Sequence, residues 1–520
     1  MRSARPGRAA AAALLGLAFA LFYLAIGRGA LVFGDDVLMY QVTAAMRERG
    51  EVRVSAPLSD ASPVRPVPGR DGGRYAKYGI GLSLVAIPFD AAGEWLEGRG
   101  FRLPEAQDAA GNLRTGARIW AVHLTSAAIG GATVAALFLL ASAFGYSRGV
   151  AAATAAAFGG ATVFAHSATT FLSEPLSALA ITVALFALVR ARTDAEPAGG
   201  PWTGWLALSG CAAGLAFATR AANLVVVLPL AAVLAWELAR STAPDRRRLL
   251  AALAWGVPFA GWAGAVAAYN FQRFGSVFET GYGAEAGQFS QPLLAGLAGL
   301  LVSPGRGLLW FAPPVVLAVW GWRGFLNRGK AMAWLALAMA AALLLLAAKF
   351  YQWHGGGVWG PRLIVPVLPL LLLPAAEVLH RAAAGSARHR WIAAACLAAG
   401  VFGVALAVLV PFERAVQAVW RGPADLDSPA FRASLWSPPD SPLVVHARAL
   451  PGAARRTARL LAGREALPGP AEKGSAGLPD LAFARYGSHA LLEVTRLAML
   501  AAAGLAGLLM WQLRAGGRAD

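Results

Sequence analysis

Two adjacent carboxylates, Asp35 and Asp36, directly follow the first long apolar run of this chain. Paired acids at the edge of a hydrophobic segment are costly unless they face water, a metal or a substrate. A third acid, Glu174, sits in the tight turn Phe171-Leu172-Ser173-Glu174-Pro175 before another apolar run. Basic and aromatic residues recur in comparable places: Arg74-Tyr75-Ala76-Lys77-Tyr78, then Tyr269-Asn270-Phe271-Gln272-Arg273-Phe274-Gly275, then Ser303-Pro304-Gly305-Arg306-Gly307. The last cluster is Gln352-Trp353-His354-Gly355-Gly356-Gly357-Val358-Trp359-Gly360-Pro361-Arg362. A carboxylate in such a set can take a proton from a hydroxyl. Lys and Arg neutralise a phosphate, aromatic faces pack on sugar C–H surfaces, and glycine admits close backbone approach. The three acids are also oxygen ligands of the kind Mg²⁺, Mn²⁺ or Ca²⁺ takes. Each feature also has a structural use: the acids as helix caps, the aromatics as an interfacial belt, the arginines as headgroup anchors.

The elements that must position these residues are membrane spans. Of 520 residues, 57% are hydrophobic and 14% charged, the mean hydropathy is +0.54, and apolar runs recur at about the 20-residue length that crosses a hydrocarbon core. The fold class is therefore all-α and polytopic. Cys211 and Cys396 both lie inside apolar runs and read as small buried hydrophobes, so neither a disulfide framework nor a Cys-based metal site is suggested. The net charge of +18 gathers largely in short loops between apolar runs. That pattern orients a membrane protein, and no aromatic-interleaved basic patch points to nucleic acid.

Arg2, Arg5 and Arg8 precede the first run, 9–26, which exceeds the roughly 7–15 residues of a signal-peptide core. It reads as an uncleaved first span with its basic flank cytoplasmic. The segment 78–96 is apolar but broken by Gly79, Gly81, Pro88 and Asp90, and it reads as a juxtamembrane helix. Spans are then expected at 118–141, 149–170, 175–189, 204–219, 223–238, 249–269, 308–322, 331–348, 363–379, 391–410 and 489–513, about twelve crossings with the first. This threading puts Arg148, Arg190, Arg192, Arg240, Arg246–Arg248, Arg323, Arg328, Lys330, Arg381, Arg388, Arg390, Arg514 and Arg518 inside, as the positive-inside rule requires. Both termini are then cytoplasmic, and the loops with Asp35, Glu174, 269–306 and 350–362 share the outer face. His123 and His166 fall within spans and read as helix–helix hydrogen-bonding groups.

The order of these features resembles the GT-C membrane glycosyltransferases, in the branch of the protein O-mannosyltransferases and the lipid A aminoarabinose transferases. Members place acids in the first outer loop, as Asp35 and Asp36 are here, then an aromatic-Lys-Tyr-Pro-Pro segment opening a juxtamembrane helix. This chain has Tyr75-Ala76-Lys77-Tyr78-Gly79-Ile80, without the double proline. A second acid in the next outer turn corresponds to Glu174, and the resemblance runs from Arg8 to about Arg381.

The resemblance implies an inverting glycosyltransferase that moves a hexose or pentose from a polyprenyl monophosphate to an acceptor hydroxyl on lipid, glycan or protein. Asp35 or Asp36 would be the general base and Glu174 a positioning acid. Lys77, Tyr78, Arg273, Arg306, His354 and Arg362 would hold donor phosphate and sugar. No cofactor is required, since a monophosphate leaving group does not demand a metal; a divalent ion on Asp35, Asp36 and Glu174 is an option. The implied organisation is a catalytic membrane domain over 1–410 with a first outer loop at 34–115. A Pro- and Arg-rich outer segment follows at 411–488, with Trp420 and Trp436 as bulky anchors and a role as lid or acceptor contact, then a last span and short cytoplasmic tail over 489–520. The Ala, Arg and Gly richness resembles a high-GC bacterial proteome, which places the chain in a bacterial cytoplasmic membrane. The competing classes are a transporter or lipid flippase and a non-catalytic cell-envelope assembly protein; a ligase using a lipid diphosphate is a neighbouring enzyme class. Charges at span ends rather than at the midplane, with no internal repeat, speak against transport.

Overall fold

The computed structural model describes residues 7–55, 65–107, 111–193, 202–411, 429–469 and 478–516. Arg2, Arg5, Trp420 and Arg518 lie outside them. The chain is built of α1 (Arg8–Ile26), α2 (Gly34–Arg49), α3 (Gly81–Gly98), α4 (Ala117–Ala143), α5 (Arg148–Gly160), α6 (Phe164–Ser167), α7 (Glu174–Thr193), α8 (Trp202–Thr219), α9 (Leu224–Arg240) and α10 (Asp245–Phe274). There follow α11 (Leu293–Val302), α12 (Leu308–Phe311), α13 (Val315–Leu326), α14 (Lys330–Lys349), α15 (Leu368–Leu372), α16 (Ala375–Ala383), α17 (Ala387–Leu409), α18 (Pro429–Ser434), α19 (Pro442–Leu461), α20 (Ala482–Tyr486) and α21 (His489–Gly516). Among the described residues the only sheets are two small antiparallel ribbons, β1 (Val67–Pro68) with β2 (Arg74–Tyr75) and β3 (Ala106–Gln107) with β4 (Leu113–Thr115).

Among the described residues eight helices are long and apolar enough to cross a membrane, and nine if the bent pair Arg362–Leu372 and Ala375–Ala383 is one span. The expected count of about twelve is thus not reproduced by length and composition. The expected span 149–170 is broken between α5 and α6, 308–322 is divided between α12 and α13, and 204–219 is the single 18-residue helix α8. A hydropathy window cannot see such breaks, because loop residues inside the bundle are as apolar as helical ones.

Exposure runs opposite to that of a water-soluble protein. In α10 only 11% of the most apolar window is buried, and Leu249, Leu253 and Val257 lie on its open surface. Trp236 on α9 and Leu500 and Trp511 on α21 are likewise exposed. Lipid is the solvent that makes such surfaces stable, so helices associate through close packing and not through burial from water. Small residues make that possible. Gly131 of α4 faces Gly16 of α1, where an added Cβ would stand 2.3 Å from the Gly16 carbonyl oxygen. Gly210 of α8 meets the Trp255 carbonyl of α10 in the same way, at 2.0 Å.

The first loop carries the expected juxtamembrane helix as α3, starting at Gly81, and a second one, α2, that begins at the acidic pair. An ionic cluster fixes α3 to its neighbours. Asp90 is fully buried; it accepts from Arg47 Nε of α2 at 2.5 Å and from Arg118 Nε and Nη2 of α4 at 3.0 and 2.8 Å. Removing one member of a buried, hydrogen-bonded charge cluster costs about 3 kcal/mol or more. Asp90→Ala should therefore lose about 3 kcal/mol in detergent unfolding titrations. Glu94→Ala removes an Arg47 partner whose side chain is 59% exposed, and should lose less than about 1 kcal/mol. Equal losses would contradict the assignment of Asp90 as the anchor.

Candidate active site

The loops between helices converge on one cavity of about 490 Å³. Its polar lining residues include Asp35, Lys77, Tyr78, Glu174, Arg220, Arg273, Tyr282, Glu285 and Arg362. Its apolar lining residues include Phe217, Val266, Phe289, Leu343, Leu346 and Phe350.

The two adjacent acids point in different directions, and helix capping explains why. Asp36 turns back over the start of α2, where its Oδ2 accepts from the Val32 and Phe33 N–H groups at 2.9 and 3.1 Å. This satisfies amides that precede the helix and adds a negative charge at its positive end. Asp36 is 1% exposed and does not line the cavity. Burial pushes its carboxyl up to about 7 against the opposing backbone N–H bonds. Asp35 faces the cavity: Oδ1 accepts from the Tyr78 hydroxyl at 2.6 Å and Oδ2 from Arg362 Nη1 at 3.0 Å. Burial acts to raise its pKa, but the charge of Arg362, the Tyr78 bond and Lys77 outweigh it and hold the carboxyl below its ordinary value.

Glu174 is the first residue of α7 and is 3% exposed. Its Oε1 accepts from Arg220 Nη1 at 2.7 Å and lies 3.9 Å from Arg362 Nε. Arg362 thus stands between Asp35 and Glu174. Glu174 Oε2 is buried with no hydrogen-bond partner. A carboxylate oxygen in that state favours a hydroxyl or amine brought by a ligand.

Lys77 leaves β2 toward the cavity, with Nζ 2.6 Å from Glu285 and 5.0 Å from the centre of the Tyr282 ring. Burial raises the Tyr282 hydroxyl to about 12, so it stays a neutral hydrogen-bonding group. Arg273, in the last turn of α10, lines the cavity but directs its guanidinium into the protein. It donates to the Tyr269 carbonyl at 3.2 Å, to Asn270 Oδ1 at 2.7 Å and to the Ala76 carbonyl. Its work is to hold the strand end from which Lys77 projects.

Arg306 and His354, expected at the ligand, do not line the cavity. Arg306 is fully buried and donates to the carbonyls of His354, Gly305 and Gly356 at 3.0, 3.0 and 2.7 Å. Neutral carbonyls attracted it because the loop 354–357 folds over it. His354 Nδ1 accepts from the Gly356 N–H at 3.1 Å, and burial with nearby arginines lowers the ring to about 3. Both residues shape the turn in which Gly355, at φ +73°, lies against Arg362; a Cβ there would stand 2.8 Å from Arg362 Cγ.

The expected three-acid metal set does not form. Asp36 is turned away, guanidinium groups occupy Asp35 and Glu174, and among the described residues no group of three or more His, Cys, Asp or Glu could hold an ion. The acids present therefore do not fit a divalent metal. No described residue of 429–469 or 478–488 lines the cavity, so the expected lid is not seen there.

Sequence reading missed Arg220, Tyr282 and Glu285 as cavity residues. Arg220 did carry a signal: an arginine in a three-residue turn on the expected outer side runs against the positive-inside pattern. Glu285 carried none, since it sits in a stretch with no helical or strand period.

Residues 89–263 match the family described as dolichyl-phosphate-mannose-protein mannosyltransferase. The chain superimposes on ArnT from Cupriavidus metallidurans bound to undecaprenyl phosphate with a TM-score of 0.50 and 18% identity, over 95% of this chain and 77% of that one. The same protein in its apo state gives 0.48, 18%, 94% and 76%. An oligosaccharyltransferase of Archaeoglobus fulgidus in its apo form gives 0.46 and 13%, over 82% and 60%. No curated protein sequence matches the chain. The chain is a multi-pass membrane protein of the GT-C fold. Within that fold it resembles the branch of the protein mannosyltransferases and ArnT.

The buried Asp36 gives a pH test of the local structure. Its folded pKa of about 7 lies above the unfolded value of about 3.9, so the folded state binds the extra proton. Stability from this group is full below about pH 4 and is lost as pH rises toward 7. Asp36→Asn should flatten the fall in stability between about pH 4 and 7, as read by thermal unfolding in detergent; an unchanged slope would place the titration elsewhere.

Proposed function

We propose that this protein is an inverting glycosyltransferase that takes a sugar from a polyprenyl monophosphate and transfers it to an acceptor hydroxyl. The observation that carries this reading is the cavity itself. Its lining combines a carboxylate, Asp35, and lysine and arginine groups with apolar side chains such as Phe217, Leu343 and Leu346. A lipid phosphate combines the same two characters. Phe278, which lines the cavity and is 91% exposed, would admit a prenyl chain from the bilayer. The mannosyltransferase family match and the likeness to an ArnT bound to undecaprenyl phosphate support the same class of donor.

In the proposed reaction the acceptor oxygen attacks the anomeric carbon from the face opposite the phosphate. The carbon–oxygen bond to phosphate breaks, the acceptor proton passes to Asp35, and the polyprenyl phosphate leaves as the dianion. Lys77, Arg220 and Arg362 stabilise the charge that grows on the leaving oxygen. At rest Asp35 is a weak base because Arg362 and Tyr78 stabilise its anion. A donor phosphate competes for Arg362 and returns basicity to Asp35 when the substrate is in place. Glu174, with its unpartnered Oε2, orients a sugar or acceptor hydroxyl. Residues 1–410 form the catalytic unit, since every residue that lines the cavity lies within them. Basic clusters such as Arg246–Arg248 and Arg388–Arg390 lie at helix ends away from the cavity loops, which favours a cytoplasmic position for them and an outer-face cavity in a bacterial cytoplasmic membrane.

The test is transfer from radiolabelled polyprenyl-phosphate mannose, glucose and arabinose by purified protein in lipid nanodiscs. Asp35→Asn should reduce turnover by about a thousandfold, within the usual range for a general base, while Asp36→Asn retains most of it. Glu174→Gln keeps the shape of the side chain and should lower turnover by about tenfold to a hundredfold, through one charged hydrogen bond. Full activity in Asp35→Asn would remove Asp35 from the chemistry.

A further inference from the structure

The residues 478–488 line no part of the cavity, yet Asp480 and Tyr486 are 4% and 2% exposed. The Tyr486 hydroxyl donates to the Gly29 carbonyl at 2.6 Å and accepts from the Gly116 N–H at 3.1 Å. The Ala482 N–H donates to the Gly27 carbonyl at 2.9 Å. Asp480 pairs with Arg28 at 3.4 Å and with Arg485, and Arg28 Nη2 lies 2.8 Å from His166 Nε2. All of these bonds fall on the turn that joins α1 to α2 or on the elements that back it.

From that turn a short series of contacts reaches Asp35. The Leu31 N–H donates to the Arg114 carbonyl at 2.9 Å, and Arg114 Nη1 donates to the Phe33 carbonyl at 3.1 Å. The next two amides, Val32 and Phe33, are held by Asp36. Between Ile26 and Gly34 the chain has neither helix nor strand bonds to fix it, so its place depends on outside partners. Gly29 takes φ +63°, and a Cβ there would stand 2.8 Å from the Trp120 ring. The turn is pressed between α4 and α20.

We propose that the segment 480–486 is a strap that positions the first loop, with Tyr486 and Asp480 as positioning residues that set Asp35 against Tyr78 and Arg362. Its catalytic consequence rests on the transferase reading; its structural claim does not. The experiment is hydrogen exchange, with mass-spectrometric readout, of the full chain in nanodiscs, comparing the intact protein with Tyr486→Phe and Asp480→Asn. Loss of the Tyr486 hydroxyl should speed exchange at Leu31, Val32 and Phe33 by about tenfold, with α7 and α14 unchanged. Asp480→Asn should act in the same direction. In the transfer assay Tyr486→Phe should lower kcat by about tenfold and leave the donor KM unchanged, because the cavity cations are untouched. Unchanged exchange at 31–33, or an equal rise in α7 and α14, would overturn the strap. Failure of the intact chain to transfer any sugar would count against the transferase reading, and the exchange result would still decide the strap.

Discussion

The site depends on one guanidinium. Arg362 lies between Asp35 of α2 and Glu174 of α7, acids contributed by elements far apart in the chain. The charge of Arg362 helps hold the Asp35 carboxyl below its ordinary value, and its contacts to both acids tie the entry helix α2 to the core helix α7. Much of the surrounding architecture serves to keep Arg362 there. Gly355 leaves room for its stem, and Arg306 gathers the carbonyls of the loop that presents it.

The bilayer sets the other constraint. Because lipid offers no hydrophobic drive between helices, close approach at Gly16, Gly131 and Gly210 carries the packing. Polar groups can then be confined to one end of the bundle, where the chain breaks between α5 and α6 and between α12 and α13. The cavity itself is lined by the ends of other elements, among them the turns at 172–174 and 219–222 and the loop that carries Arg362, since a continuous helix satisfies its own backbone and offers little to a ligand.

Sequence alone showed the membrane class and several side chains that do meet at one cavity: Asp35, Glu174, Lys77, Tyr78 and Arg362. It did so because a charge next to a long apolar run is rare and expensive. It could not separate Asp35 from Asp36. Neighbouring positions on a helix differ by about 100° in direction, and which one caps depends on where Val32 and Phe33 place their amides. Nor could it tell that Arg306 and His354 face inward, since the run of glycines that surrounds them fits a ligand loop and a buried turn equally well. The count of about twelve spans is not confirmed for a related reason at two of them: hydropathy measures composition, while the breaks between α5 and α6 and between α12 and α13 are a matter of backbone geometry.

The arginines around the cavity divide by what their donors meet. Arg273 and Arg306 give theirs to carbonyl groups and an amide, neutral acceptors that leave the positive charge uncancelled and the side chain fixed. Arg220 and Arg362 instead face carboxylates, whose oxygens can be exchanged for those of a phosphate at similar geometry. The first kind is suited to holding loops and the second to changing partners. An anion entering the cavity would meet its most exchangeable cation at Arg362, and moving that cation would alter Asp35 and Glu174 together. Under the proposed reaction, binding of the donor phosphate and the basicity of Asp35 would be coupled through this single side chain, without a change of fold.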